Sequence, residues 1–132
     1  MTKRAVLSLA LISLTTACVS SNSQSNVLLD ASNVSLGQTA YADGPKIRPV
    51  KILEDSRCPI NARCIRAGDV RLLVEWVRPN GNQTMEVWLG KPAPMADGQL
   101  TLTDVRPGRE AGSGKELKPA DYRFSFKFDG GL

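Results

Sequence analysis

The chain has 132 residues, of which 42% are hydrophobic and 23% charged, with 11 glycines and 8 prolines. This composition is typical of one globular domain and excludes a multidomain enzyme, a coiled coil and a wholly disordered protein. The formal net charge is +4 and the chain contains no histidine. Because histidine is the commonest general base and the commonest metal ligand, we expect no enzymatic activity, no cofactor and no metal site.

Residues 1–17 have the pattern of an export signal. A short basic segment precedes an apolar run, residues 5–14, which as a helix would rise only about 15 Å, half the thickness of a bilayer. Residues 14–18, Leu-Thr-Thr-Ala-Cys, resemble the bacterial lipobox, in which the cysteine takes a diacylglycerol. We predict lipid attachment at Cys18 and an outer-membrane location facing the periplasm. Cleavage after Ala17 without lipid is the alternative.

The three cysteines are an odd number for an exported protein. If Cys18 carries lipid, Cys58 and Cys64 remain as an even pair in an oxidising compartment, where we expect a disulfide. Removal of residues 1–17 lowers the formal charge to +2, because 15 basic residues then remain against 13 acidic ones. The basic residues form no cluster, which argues against a nucleic-acid partner.

Residues 18–33 begin as a Ser/Asn/Gln tract without hydrophobic periodicity. Such a stretch cannot bury enough apolar surface to offset its loss of conformational entropy. We therefore predict a flexible tether that holds the domain on the order of 20–25 Å from the membrane lipid. Residues 34–132 are predicted to form a single β domain.

The first part of this domain has the alternation typical of β-strands. Residues 46–53 are a candidate strand that Pro49 restricts to a sheet edge or a bulge, because proline donates no hydrogen bond to the ladder. Residues 69–78 are the clearest central strand. Asn80-Gly81 suits the tight turn of a β-hairpin that returns over residues 83–89.

The second part of the domain continues in the same way. Residues 90–98 contain two prolines and two glycines and are predicted to be a connection, and residues 99–105 form the next strand. The last strand has its aromatic residues on one face, which we assign to the core: Tyr122, Phe124, Phe126 and Phe128. No helix of ordinary length is predicted. Six or seven short strands indicate an all-β fold, an antiparallel β-sandwich or a small open barrel.

The most distinctive motif precedes the central strand. It reads Asp55-Ser56-Arg57-Cys58-Pro59, then Cys64, then Ala67-Gly68. This pattern resembles a family of small exported bacterial proteins, many of them lipoproteins, whose function is uncharacterised. The resemblance covers residues 47–73 and implies a β-rich envelope domain without catalytic residues. Many relatives have tryptophan in place of Arg66, so the resemblance carries no role over to that position.

The side chains of this motif favour a structural or binding role. A disulfide between Cys58 and Cys64 closes a short loop and is worth about 2–2.5 kcal/mol, whereas zinc would need two further ligands. Pro59 fixes φ at the start of the loop, and Gly68 is expected to adopt a conformation that other residues avoid. The residues assigned to structural or binding roles are Asp55, Ser56, Arg57, Pro59, Arg63, Arg66 and Gly68.

A catalytic interpretation of this motif is less favoured. Asp55, Ser56 and Arg57 are consecutive, so they do not converge on one substrate atom, and Ser56 has no histidine to act as its base. We favour an Asx-type turn at Asp55, with Arg57 pairing with Asp55, Glu54 or carbonyl oxygens. Glu54 and Asp55 do not form a glycosidase pair, because adjacent strand residues point to opposite faces.

The two tryptophans fall on the strands of the predicted hairpin. Trp76 is expected in the core, whereas Trp88 lies out of phase with the apolar face of its strand and is a candidate exposed contact. Half-buried packing under a loop is the commoner outcome for such a residue.

The sequence thus predicts a non-enzymatic, lipid-anchored envelope domain with a binding or structural role and an envelope protein as its partner. The alternative is a serine protease inhibitor, in which Arg57 or Arg63 on the braced loop imitates the substrate of a trypsin-like enzyme. A small hydrolase is a third hypothesis, which would require a pair of carboxylates from different strands.

Overall fold

The structure is a computed structural model that describes residues 29–131. The predicted export signal, Cys18 and most of the predicted tether therefore lie outside the described residues. Within residues 29–131, no helix is long and apolar enough to cross a membrane. The strands in chain order are β1 (Leu29–Asp30), β2 (Ala40–Tyr41), β3 (Lys46–Asp55), β4 (Val70–Val77), β5 (Gln83–Trp88), β6 (Pro92–Met95), β7 (Gly98–Arg106) and β8 (Arg123–Gly130), with one 3-10 turn at Pro119–Asp121.

These strands form two sheets, one in the order β1-β2-β3-β4-β5 and the other in the order β6-β7-β8. The seven strands from β2 to β8 pair antiparallel, and the two-residue β1 pairs parallel with β2. The described residues thus form an open β-sandwich, which confirms the all-β prediction.

The core lies between the two sheets because alternate residues of each strand are apolar. On β4, Val70, Leu72 and Val74 are fully buried, as predicted for its inner face. The aromatic face of the last strand is confirmed as core for Tyr122, Phe124 and Phe126, which are 6%, 0% and 7% exposed, whereas Phe128 is only partly buried. The residues buried between the sheets are hydrophobic, so the stability of the sandwich comes mainly from apolar burial.

Proline has two different roles in these sheets. Pro49 lies inside β3, where the register with β4 shifts between Pro49 and Lys51, which confirms the predicted bulge. The prediction that residues 90–98 only connect two strands is wrong, because Pro92–Met95 is β6. Pro92 and Pro94 are two residues apart on an edge strand, so their backbone nitrogens both point away from β7. The sheet therefore loses no ladder hydrogen bond at these prolines.

The ordered domain begins before residue 34. Ala31 is 3% exposed, and its carbonyl oxygen accepts a hydrogen bond of 2.8 Å from the Phe126 amide. Val34 exchanges two backbone hydrogen bonds with Phe124, at 2.8 and 2.9 Å. The end of the segment predicted as a tether therefore covers the edge of β8, because burial of Ala31 and Val34 offsets the entropy cost of ordering it.

The two ends of the sandwich are built differently. At one end, β3 finishes at Asp55 and β4 begins at Val70, and we call this the loop end. At the other end, Lys46 pairs with Val77, and we call this the cleft end. A ten-residue strand such as β3 spans about 30 Å, which separates the two ends.

Candidate functional site

The connection between β3 and β4, residues 56–69, stands at the loop end, and we call it the cysteine loop. Backbone hydrogen bonds close its base, from Ser56 N to the Asp69 carbonyl and from Cys58 N to the Ala67 carbonyl, both at 2.8 Å. The Ser56 hydroxyl accepts a hydrogen bond of 3.0 Å from the Asp69 amide. Ser56 therefore closes the loop, and this bond supports its structural interpretation.

The disulfide between Cys58 and Cys64 is formed, with a Cα–Cα distance of 5.8 Å, which confirms the predicted pair. After Pro59, a hydrogen bond of 3.1 Å from the Ala62 amide to the Pro59 carbonyl turns the chain. Gly68 has φ of +74°, and a Cβ atom there would collide with the backbone carbonyl of Ser56. The prediction that only glycine suits this position is confirmed, since both the left-handed φ and the close approach exclude a side chain.

Asp55 is the centre of a hydrogen-bond network behind the cysteine loop. Its Oδ1 accepts hydrogen bonds from Arg57 Nε at 2.9 Å and from the Arg57 backbone amide at 3.3 Å. Its Oδ2 accepts hydrogen bonds from Arg57 Nη2 and from the Tyr122 hydroxyl, both at 2.8 Å. The predicted Asx-type turn and Arg57 pair are confirmed, whereas the sequence analysis missed Tyr122 as a partner.

This network is mostly shielded from water, with 8% of the Asp55 side chain and 13% of the Arg57 side chain exposed. Burial raises the pKa of Asp55, but the hydrogen bonds from Arg57 and Tyr122 outweigh it, so the pKa lies below its ordinary value of 3.8. Burial and then the hydrogen bond to Asp55 raise the pKa of Tyr122 to about 12. At neutral pH the network is an ion pair with a neutral phenol, and a carboxylate held in this way is a poor general base.

Two arginines link the cysteine loop to the neighbouring sheet. Arg57 donates through Nη1 to the Val105 carbonyl at 2.7 Å and through Nη2 to the Pro107 carbonyl at 3.1 Å. In the opposite direction, Arg109 Nη1 donates to the carbonyls of Asp55 at 3.2 Å and Arg57 at 3.1 Å. Each of the two segments therefore supplies a guanidinium to the backbone of the other, which holds them together.

The tip of the cysteine loop is fastened to the same segment. The Asn61 side chain makes two hydrogen bonds to the backbone of Ala111, at 3.0 and 2.8 Å. The Ile60 amide donates to the Arg109 carbonyl at 2.8 Å, and a Cβ atom at Gly108 would lie 2.7 Å from the Ile60 side chain. The loop thus has contacts at its base, on its side and near its tip.

The outer side of the cysteine loop remains open to solvent. Ile65 is 104% exposed and Ile60 is 71% exposed. Arg63 and Arg66 are also exposed. The expectation that Arg57 presents itself to a protease is wrong, because its guanidinium is held by Asp55 and by two carbonyls, whereas Arg63 keeps the exposure that this hypothesis requires.

Both tryptophans are half-buried. Trp88 is therefore not a fully exposed contact, and the Arg71 guanidinium lies 5.4 Å and Lys91 Nζ 4.6 Å from its ring centroid. Trp76 is half-buried at the cleft end rather than fully in the core.

As expected, Glu54 points away from Asp55, with its carboxylate 3.9 Å from Arg71 Nε.

Within residues 29–131, no group of three or more His, Cys, Asp or Glu side chains is placed to hold a metal ion. Comparisons of the chain with protein-family models, with curated proteins and with solved structures find no match.

Proposed function

We propose that the protein is an exported, lipid-anchored envelope domain that binds an envelope protein through the cysteine loop, without enzymatic activity. The observation that carries this proposal is the presentation of Ile65, a fully exposed aliphatic side chain on a loop braced by a disulfide and by two arginines. A single exposed apolar residue is ordinary on a protein surface. This loop, however, is ordered by many contacts although its outer side buries little surface. A binding role explains this ordering better than chance exposure of one residue does.

Rigidity of the loop favours binding because a loop that is ordered in advance loses less conformational entropy when a partner docks. Ile65 lies between Arg63 and Arg66 in the exposed part of the loop. Arginine is enriched at protein interfaces, where it pairs with carboxylates. The partner surface that fits is a shallow apolar pocket for Ile65 with an acidic rim.

The membrane anchor is supported by the sequence of residues 14–18 and by the cysteine count. The Cys58–Cys64 disulfide leaves Cys18 as the one further cysteine of the chain. We expect bacteria that express the full chain to incorporate labelled palmitate into the wild-type protein and not into Cys18→Ser. Equal labelling of both proteins, or none in the wild type, would contradict the anchor.

Binding through the cysteine loop is tested by a photoreactive amino acid placed at Ile65 in the full chain, expressed in the producing bacterium. The matched control places it at Lys51, an exposed residue in the middle of β3. We expect one discrete cross-linked species from position 65, reduced when Arg63 and Arg66 are both changed to glutamine. The same species from position 51, or no species from position 65, would contradict the proposal.

The serine protease inhibitor is the second candidate, because the exposed Arg63 stands next to a disulfide that braces its loop. An inhibitor of this kind would inhibit trypsin at nanomolar concentrations and would lose inhibition in Arg63→Gln. Absence of inhibition by the purified protein would eliminate this candidate and leave the first untouched.

A further inference from the structure

A concave surface lies at the cleft end, about 30 Å from the cysteine loop. It is a cavity of about 500 Å³, within the range of small-molecule sites. The residues that matter for its chemistry are Lys46, Trp76, Arg78, Pro79, Asp97 and Phe128.

The walls of this cleft are flat and apolar. Phe128 is wedged beside Gly44 and Gly130, where an added Cβ atom would lie 3.3 Å from its ring in either case. Trp76 is half-buried on β4. Pro79 adds a rigid ring at the edge. Such walls favour a flat apolar group over a flexible chain, because aromatic rings stack on planar partners.

The charges around the cleft are predominantly positive. Lys46 and Arg78 line it together with one carboxylate, Asp97. None of these three side chains takes part in an ion pair between described residues. Arg78 is held in place, with its guanidinium 4.6 Å from the Trp76 ring centroid and its Nε donating to the Gly81 carbonyl at 3.1 Å. Two cations that form no ion pair with a described residue, beside aromatic walls, suit a ligand that combines a ring with negative charge.

We propose that this cleft binds a small aromatic anion, with the ring against Phe128 and Pro79 and the negative group at Lys46 and at the Arg78 guanidinium that lies over the Trp76 ring. The proposal is independent of the cysteine loop, since it concerns the opposite end of the sandwich. The anionic group is a carboxylate, sulfonate or phosphate, because all three accept hydrogen bonds from ammonium and guanidinium groups.

The test uses two fluorescent probes of nearly the same shape. 8-Anilino-1-naphthalenesulfonate carries a negative charge, and N-phenyl-1-naphthylamine lacks it. The parent protein is the exported full chain with Cys18→Ser, which removes the proposed lipid as a source of dye binding. We expect the anionic probe to bind the parent more tightly than the neutral probe, with an affinity that falls as salt is added.

The variants locate the site. Lys46→Gln and Arg78→Gln are each expected to weaken binding of the anionic probe by about two- to fivefold, the range for a partly exposed charge contact, and to leave the neutral probe unchanged. Lys51→Gln is the matched control, since it removes a lysine from the same strand outside the cleft. Absence of binding by the anionic probe, equal affinity for the two probes, or equal effects of Lys46→Gln and Lys51→Gln would overturn the proposal.

Discussion

Replacement of Asp55 by alanine is expected to destabilise the protein more than any other single change at the loop end. The carboxylate accepts three hydrogen bonds from Arg57 and one from Tyr122. Without it, the Arg57 guanidinium stays largely buried beside the carbonyls of Val105 and Pro107, with no negative charge to balance it. A charge left without its partner in this way is the costliest type of loss at a buried ion pair.

We expect Asp55→Ala to lower the free energy of unfolding by about 3 kcal/mol. Tyr122→Phe removes one of the four hydrogen bonds and keeps the ring, so its expected loss is about 1 kcal/mol. Glu54→Ala is the matched control on the neighbouring residue. Its carboxylate is 45% exposed and lies 3.9 Å from Arg71, and such a pair contributes about 0.5 kcal/mol or less.

The assay is urea unfolding at pH 7 followed by tryptophan fluorescence, with the disulfide intact. The difference between Asp55→Ala and Glu54→Ala is the decisive quantity. Equal losses for the two variants would refute the view that the Asp55 network fixes the cysteine loop.

The same network makes stability depend on acid. The pKa of Asp55 is lower in the folded protein than in the unfolded chain, so the stability it contributes is present above about pH 4 and is lost as the pH falls through the folded pKa. We expect the unfolding free energy of the wild type to fall below about pH 4 more steeply than that of Asp55→Asn. Parallel pH profiles would contradict this assignment.

Three further predictions concern single features. The pKa of Tyr122 is raised to about 12 in the folded protein, so between about pH 10 and 12 its phenol ionises in the unfolded chain but not in the folded one. The unfolding free energy of the wild type is therefore expected to fall over this range, and denaturant unfolding should show a weaker fall in Tyr122→Phe. Changing Cys58 and Cys64 to serine is expected to lower the free energy of unfolding by about 2–2.5 kcal/mol. If the melting temperature were the same with and without these changes, the disulfide would not stabilise the protein. Gly68→Ala should lower the free energy of unfolding in urea by at least 1 kcal/mol more than Gly112→Ala. The two glycines have nearly the same φ, +74° and +73°, but only a Cβ atom at Gly68 would collide with backbone atoms. Equal losses for the two variants would contradict this close approach.

Local patterns were sufficient to predict much of the fold. The alternation of β4 and the turn residues after it are local signals, and the hairpin that they predict is confirmed. The predicted tight Asn80-Gly81 turn is wrong in position, because the Gly81 amide donates to the Arg78 carbonyl and the turn is centred on Pro79 and Asn80. The Asx-type turn at Asp55 is local in the same sense, since its main partner is two residues away. The strand β6 was missed because its prolines read as breakers, and only its place at the sheet edge makes them harmless.

Contacts between the two sheets were beyond the sequence analysis. Tyr122 is 67 residues from Asp55, and Arg57 is 48 residues from Val105, so neither pair has a local signal. Which arginine of the motif is exposed depends on these contacts, so the protease-inhibitor hypothesis could not distinguish Arg57 from Arg63.

The proposed binding role depends on a cysteine loop that is rigid before any partner docks. Its rigidity is measured by the backbone amide order parameters of the oxidised protein, from nitrogen-15 relaxation. We expect values of about 0.8 or higher from Cys58 to Ala67, close to those of the flanking strands. Values below about 0.6 for Ile65 and its neighbours would contradict this expectation.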